Sequence, residues 1–155
     1  MTHPVINMYR KAAALPGGRK AFSLVICNKA PYFGSISPTF TALDAGYAEV
    51  TIRNQRKVRN HLGTVHAIAM CNMAELAGGT MTEVSIPKTM RWIPKGMQVE
   101  YLKKATSKTL RAQARFQSDI KADTRQDAAV EVNILDDDEQ VVCRCVITMF
   151  VSPKK

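Results

Sequence analysis

Apolar positions along this chain follow two rhythms, and each rhythm predicts an element. Tyr47 to Arg53 (Tyr-Ala-Glu-Val-Thr-Ile-Arg) alternates with period two, as in a half-buried strand. The turn residues Asp44-Ala45-Gly46 precede it, and Ser35 to Leu43 lies before them, so the two runs predict a hairpin. Pro38 places the first strand at an edge or a bulge. From Val65 to Ala77 apolar residues fall on every helical face, which predicts a buried helix over about 64–77, with Gly78-Gly79 as its stop. Strand-like runs follow at 90–93, 97–105, 109–119, 128–135 and 140–151. The first is cut off by Pro94-Lys95-Gly96, and the last two are joined by the acidic turn 136–139.

Upstream of the hairpin the pattern is less decisive. Residues 4–15 read as a short helix that ends at Pro16-Gly17-Gly18, so 1–18 is expected to be an N-terminal helical extension. Phe22 to Cys27 fits a short strand and a buried helical turn equally well. No repeat, low-complexity tract or long linker interrupts the chain, and 155 residues suit one domain. The order is therefore a hairpin, one long apolar helix and an antiparallel meander. A helix that is apolar all round needs cover on all sides, and a curved antiparallel sheet wrapped around it provides most of that cover. The expected class is α+β.

Composition narrows the possibilities only a little. No apolar run is long and uncharged enough for a transmembrane span, because His66, Asn72 and Glu75 interrupt the best candidate. No signal-peptide core is visible at the N-terminus, so a cytoplasmic protein without membrane insertion is expected. Cys27, Cys71, Cys143 and Cys145 show no CxxC or Cys/His ligand spacing, which argues for reduced, mostly buried thiols and no metal. The net charge is +9, with clusters at Arg53, Arg56, Lys57 and Arg59 and again from Lys103 to Arg115. Such a field draws phosphate-bearing partners. No basic motif interleaved with aromatics supports nucleic acid.

The run Asn60-His61-Leu62-Gly63-Thr64-Val65-His66-Ala67, with Glu75 on the same helix, resembles the signature of hotdog-fold acyl-CoA thioesterases of the phenylacetate-pathway type. Met97 to Ala105 is similar to the strand that follows the helix in that family, and the likeness spans about residues 45–150. The first forty residues resemble an extension carried by one branch of the superfamily. The resemblance implies a hotdog fold in which a curved antiparallel sheet wraps the central helix and a second subunit covers the remaining side. The expected assembly is a homodimer or a dimer of dimers.

The resemblance also implies roles for particular residues. Asn60 matches the active-site Asn, Gly63 the turn glycine, His66 the histidine before the oxyanion position and Glu75 the Asp/Glu position. Ala67 stands where the family usually has glycine, which keeps the backbone N–H but adds a methyl. The hydroxyl residue that relatives carry on the next strand has no counterpart in Ile93-Pro94-Lys95.

Thioester hydrolysis needs a polarised carbonyl, an activated water or carboxylate nucleophile, and exclusion of bulk water. A helix N-terminus offers free N–H groups, and the Ala67 N–H is placed for a developing oxyanion. A carboxylate against an apolar wall is a stronger base than one in water, so Glu75 is expected to act as base or nucleophile, with Asn60 holding the water. Glu75 lies about 12 Å along the axis from Ala67 at 1.5 Å per residue. One carbonyl reaches both only if two antiparallel helices face each other across a dimer. His61, Gly63, Thr64, Arg56 and Arg59 are expected to contact the substrate, the arginines through coenzyme A phosphates. Coenzyme A enters only as part of the substrate, and an acyl-carrier thioester is the other form of it.

Two other readings remain open from the sequence. A hotdog dehydratase or hydratase would pair His61 or His66 with Glu75, though the Phe-Pro and Pro-Gly features expected after its histidine are missing. A non-catalytic acyl-CoA-binding module would keep the pocket without needing Glu75.

Overall fold

The computed structural model describes residues 2–155. Two helices, α1 (Pro4–Ala13) and α2 (Gly18–Lys29), and a 3-10 turn (Pro31–Ile36) precede the first hairpin, β1 (Thr39–Asp44) and β2 (Tyr47–Arg53). The central helix α3 (Ala67–Ser85) follows, then β3 (Met90–Tyr101), β4 (Thr109–Phe116), β5 (Gln126–Leu135) and β6 (Val141–Pro153). The strands form one antiparallel sheet in the order β1-β2-β4-β5-β6-β3. This is the hotdog fold. Alternate residues such as Val50, Ala112, Val132 and Ile147 are buried beneath α3, so the period-two pattern maps directly onto the inner face.

The sheet differs from the expected meander in one respect. β4, β5 and β6 run as a meander, but β3 crosses to the far edge and pairs with β6. The expected break at Pro94-Lys95-Gly96 is a bulge between Pro94 and Gly96 inside one continuous strand. Proline is tolerated there because a bulge needs no ladder hydrogen bond from it. The ambiguous run Phe22 to Cys27 is helical and lies in α2, so the helical extension continues well past residue 18. Its aromatic face decides the matter: Phe22 stacks edge-on between Tyr9 and Phe40, at 5.1 and 5.4 Å.

The central helix departs most from expectation. It begins at Ala67 rather than at 64 and continues past Gly78-Gly79 to Ser85. Two glycines cost a helix about 1 kcal/mol each relative to alanine, so packing must outweigh propensity here. A Cβ on Gly78 would lie 3.1 Å from Ile147 Cδ1 and 3.2 Å from Val130 Cγ1, and one on Gly79 would lie 2.8 Å from the Trp92 ring. The glycines therefore let α3 lie close against the sheet. The helix is also not buried all round. Ile68 is 54% exposed, and Cys71 and Glu75 are half-buried on the same stripe.

The two sheet edges are treated differently. At β1, the Ser23 hydroxyl of α2 accepts from the Phe40 N–H at 2.8 Å, and α2 packs over the strand. At β3 no described residue covers the outer edge, and Ile93 and Tyr101 are 61% and 52% exposed. All four cysteines are free, with Cys71 half-buried and the others buried. Among the described residues, no helix is long and apolar enough to cross a membrane.

Two outcomes follow from this packing. Gly78→Val should lower unfolding free energy by about 1–3 kcal/mol in a urea titration, because its methyls have no room between Ile147 and Val130. The turn between β5 and β6 should carry a pH signature. Asp136 accepts from Lys103 Nζ at 2.9 Å and from the N–H groups of Gln140 and Asp138 at 2.9 and 3.0 Å. Lys103 first, then these N–H groups, hold its carboxyl below the ordinary value. A depressed carboxyl stabilises the fold above its unfolded value of about 3.9, and that contribution is lost as pH falls through the folded value. Asp136→Asn should therefore lower the urea midpoint at neutral pH, with a smaller gap from the parent near pH 3.

Candidate active site

The loop before α3 is organised by Asn60. Its Oδ1 accepts from the N–H groups of Leu62 and Thr64 at 3.0 and 3.2 Å, and its Nδ2 donates to Thr64 Oγ1 at 2.9 Å. Gly63 takes φ +78° within this turn, which explains a glycine at that position. His66 is the N-cap of α3, its Nδ1 accepting from the Ile68 N–H at 3.0 Å. That bond occupies one imidazole nitrogen in starting the helix. Ala67 is then the first helical residue, and its N–H has no hydrogen-bond partner among the described residues.

Asn60, Thr64 and Ala67 line one cavity of about 390 Å³, together with Met70, Tyr101 and Lys104. His61 and Gly63 are exposed on the loop outside it. Arg56 and Arg59 do not line it either, and Arg59 is held by Asn54 through Nε at 2.8 Å. The cations at this cavity are Lys103 and Lys104, from the segment after β3. The phenol of Tyr101 lies 3.4 Å from the Cys71 thiol, and this contact, then burial, pushes its pKa up to about 12. It therefore stays protonated at neutral pH, as a hydroxyl on the strand after the helix. Sequence reasoning missed Tyr101 because only the β3–β6 register brings residue 101 beside the start of α3.

Glu75 stands apart from these residues, farther along the exposed stripe of α3. It lines a second cavity, of about 370 Å³, whose walls come from α1, α2, the 3-10 turn, α3 and β3. No hydrogen bond or ion pair to Glu75 is formed among the described residues. Glu49 provides the contrast. Burial pushes its carboxyl up, but donors on Thr41, Gln113 and Tyr47 and the charge of Arg111 more than offset this and hold it below the ordinary value. Glu49 is a structural carboxylate with partners, whereas Glu75 is half-buried without any. No group of three or more His, Cys, Asp or Glu side chains among the described residues is arranged to hold a metal.

Residues 18–151 match the family model described as a domain of unknown function, DUF4442. The chain belongs to that family. A structural-genomics crystal structure is similar to it at 48% identity, covering 97% of this chain and 99% of its own, with a TM-score of 0.83. A thioesterase from Haemophilus influenzae matches at 14% identity over 83% of this chain and 87% of its own, with a TM-score of 0.73. A thioesterase from Staphylococcus aureus matches at 15% identity over 79% of this chain and 99% of its own, with a TM-score of 0.69. That protein was crystallised with a glutamine replaced by alanine, and separately with a glutamate fifteen positions later replaced by alanine. These last relatives share the hotdog fold. No curated protein matches this chain by sequence.

Proposed function

We propose that this protein is a thioesterase that hydrolyses an acyl-CoA or acyl-carrier thioester at a site formed between two protomers. The observation that carries the reading is Glu75: a half-buried carboxylate on the exposed stripe of the central helix, at an apolar cavity, with no partner among the described residues. A carboxylate held in place for structure would be expected to have donors, as Glu49 does. The hotdog relatives named thioesterases support the reaction class. The spacing supports the residue, since Asn60 precedes Glu75 by fifteen positions, as the replaced glutamine precedes the replaced glutamate in the Staphylococcus aureus enzyme.

In this reading the carbonyl oxygen of the thioester accepts from the free Ala67 N–H of one protomer, where the helix dipole favours developing negative charge. Glu75 of the partner subunit removes a proton from water as the water adds to the carbonyl carbon, or attacks that carbon itself. In the first case the C–S bond breaks and the departing thiolate takes the proton held by Glu75. In the second the C–S bond breaks to leave a mixed anhydride on Glu75. Water hydrolyses this to the free acid and the carboxylate, and the thiolate takes a proton from that water. Asn60 has one amide hydrogen left for the water or the carboxylate. Lys104 is the nearest free cation for coenzyme A phosphates, since Lys103 is held by Asp136 and Gln140, with Arg56 and the exposed Arg53 farther out.

The dimer has its own support. An uncovered 12-residue edge strand carrying apolar side chains is a template for a second strand. The half-exposed stripe of α3 beside it would be buried by the same partner.

Glu75→Gln should fold and assemble as the parent does while losing about 10²-fold or more in thioester hydrolysis, the low end for loss of a general base. Full activity in that variant would make the carboxylate structural and remove this assignment. Sedimentation at micromolar concentration should give a dimer, and Ile68→Glu, which sets a charge on the exposed stripe, should shift it toward monomer. A stable parent monomer would remove the shared site.

A further inference from the structure

The cavity beside Glu75 has a composition that the reaction alone does not require. Its walls are Val5 of α1, Ile26 of α2, Phe33 of the 3-10 turn, Leu76 of α3 and Trp92 of β3. Three of these five come from the N-terminal helical segment, outside the sheet-and-helix core. The Trp92 wall is built rather than incidental. Its indole N–H donates to Glu83 Oε2 at 2.7 Å, and its ring lies where any side chain on Gly79 would sit, a Cβ there falling 2.8 Å from it. Glu83 is thereby engaged, which leaves Glu75, Thr80 and Lys29 as the free polar groups of the cavity.

We propose that this cavity takes the apolar tail of the acyl group, and that α1 and α2 thereby select thioesters of medium chain length. The inference rests on the thioesterase reading above and adds the substrate class. An apolar tail fits because the walls offer it surface to bury and few hydrogen bonds to satisfy. The reacting carbonyl then lies next to Glu75. The cavity's volume is about 370 Å³. At roughly 30 Å³ for a water-sized group, it holds on the order of ten such groups. An acetyl group would bury little of these apolar walls, and a medium-length chain would cover most of them.

Trp92 is the single tryptophan of the chain, so its emission reports on the cavity independently of turnover. The experiment compares hydrolysis of acetyl-, octanoyl- and palmitoyl-CoA by the parent, by Ile26→Phe, which fills the cavity, and by Phe33→Ala, which enlarges it. Trp92 emission is followed in the Glu75→Gln protein as octanoyl-CoA or free coenzyme A is added. The parent should favour octanoyl- over acetyl-CoA in kcat/KM by roughly tenfold or more. Ile26→Phe should lose about tenfold on octanoyl-CoA and stay within about twofold on acetyl-CoA, and Phe33→Ala should gain on palmitoyl-CoA relative to octanoyl-CoA. Emission should shift with octanoyl-CoA and not with coenzyme A.

Equal losses at every chain length in Ile26→Phe, with a parent-like melting temperature, would overturn the proposal. So would hydrolysis of octanoyl-CoA by the parent with no change in Trp92 emission, since the tail would then lie elsewhere or a second copy would fill the cavity. A parent that hydrolyses none of the three, yet shows the emission shift with octanoyl-CoA alone, would overturn the thioesterase reading and leave the cavity assignment standing.

Discussion

The contact between α3 and the sheet at Gly78 and Gly79 is the constraint on which the rest of the molecule depends. Every other layer takes its position from how close that helix lies. Because a Cβ at either position would meet Ile147, Val130 or Trp92, the backbone itself is the packing surface. The close approach carries α3 on to Ser85, fixes the height of its exposed stripe and sets Trp92 against it. Glu75 and Ala67 lie on that stripe, so their position relative to the sheet is set by two residues that have no side chain.

The same contact explains what could and could not be read from the chain. The alternation at 47–53 and 128–135 showed the inner face of the sheet directly, because period two survives as long as one face is buried. The end of α3 was misread because Gly-Gly stops a helix by local propensity, and only the sheet supplies the reason to continue. Pro94 was misread in the same way, since a bulge that admits proline is a property of the strand pair and not of one strand. The apolar character of α3 overstated its burial: Ile68 is 54% exposed although the helix has the composition of a core.

The candidate site was legible where it is local and hidden where it is not. Asn60, Gly63, His66 and Ala67 lie in one continuous turn and cap, and the hydrogen bonds of that turn are short-range. Tyr101 and Trp92 reach α3 through the far edge strand, Lys104 through the segment that follows it, and Ile26 and Phe33 through the N-terminal helical segment. No spacing along the chain announces those approaches. His66 shows the limit of assigning roles by motif: its Nδ1 starts the helix, which orients the Ala67 N–H whether or not the imidazole ever meets a substrate.

The bulge between Pro94 and Gly96 has a consequence for the open edge of β3. A uniform strand lets an added strand slide by two residues and pair again with the same faces. A kinked strand does not, because the displaced pair must meet its own match and one alignment leaves the fewest groups unpaired. The edge is therefore keyed like a notched rail. Inserting or deleting a single residue between 97 and 101 would reverse the facing of Tyr101 while leaving the notch in place. Length in that short segment is less free to drift than its solvent exposure suggests, and substitutions there are better tolerated than changes in spacing.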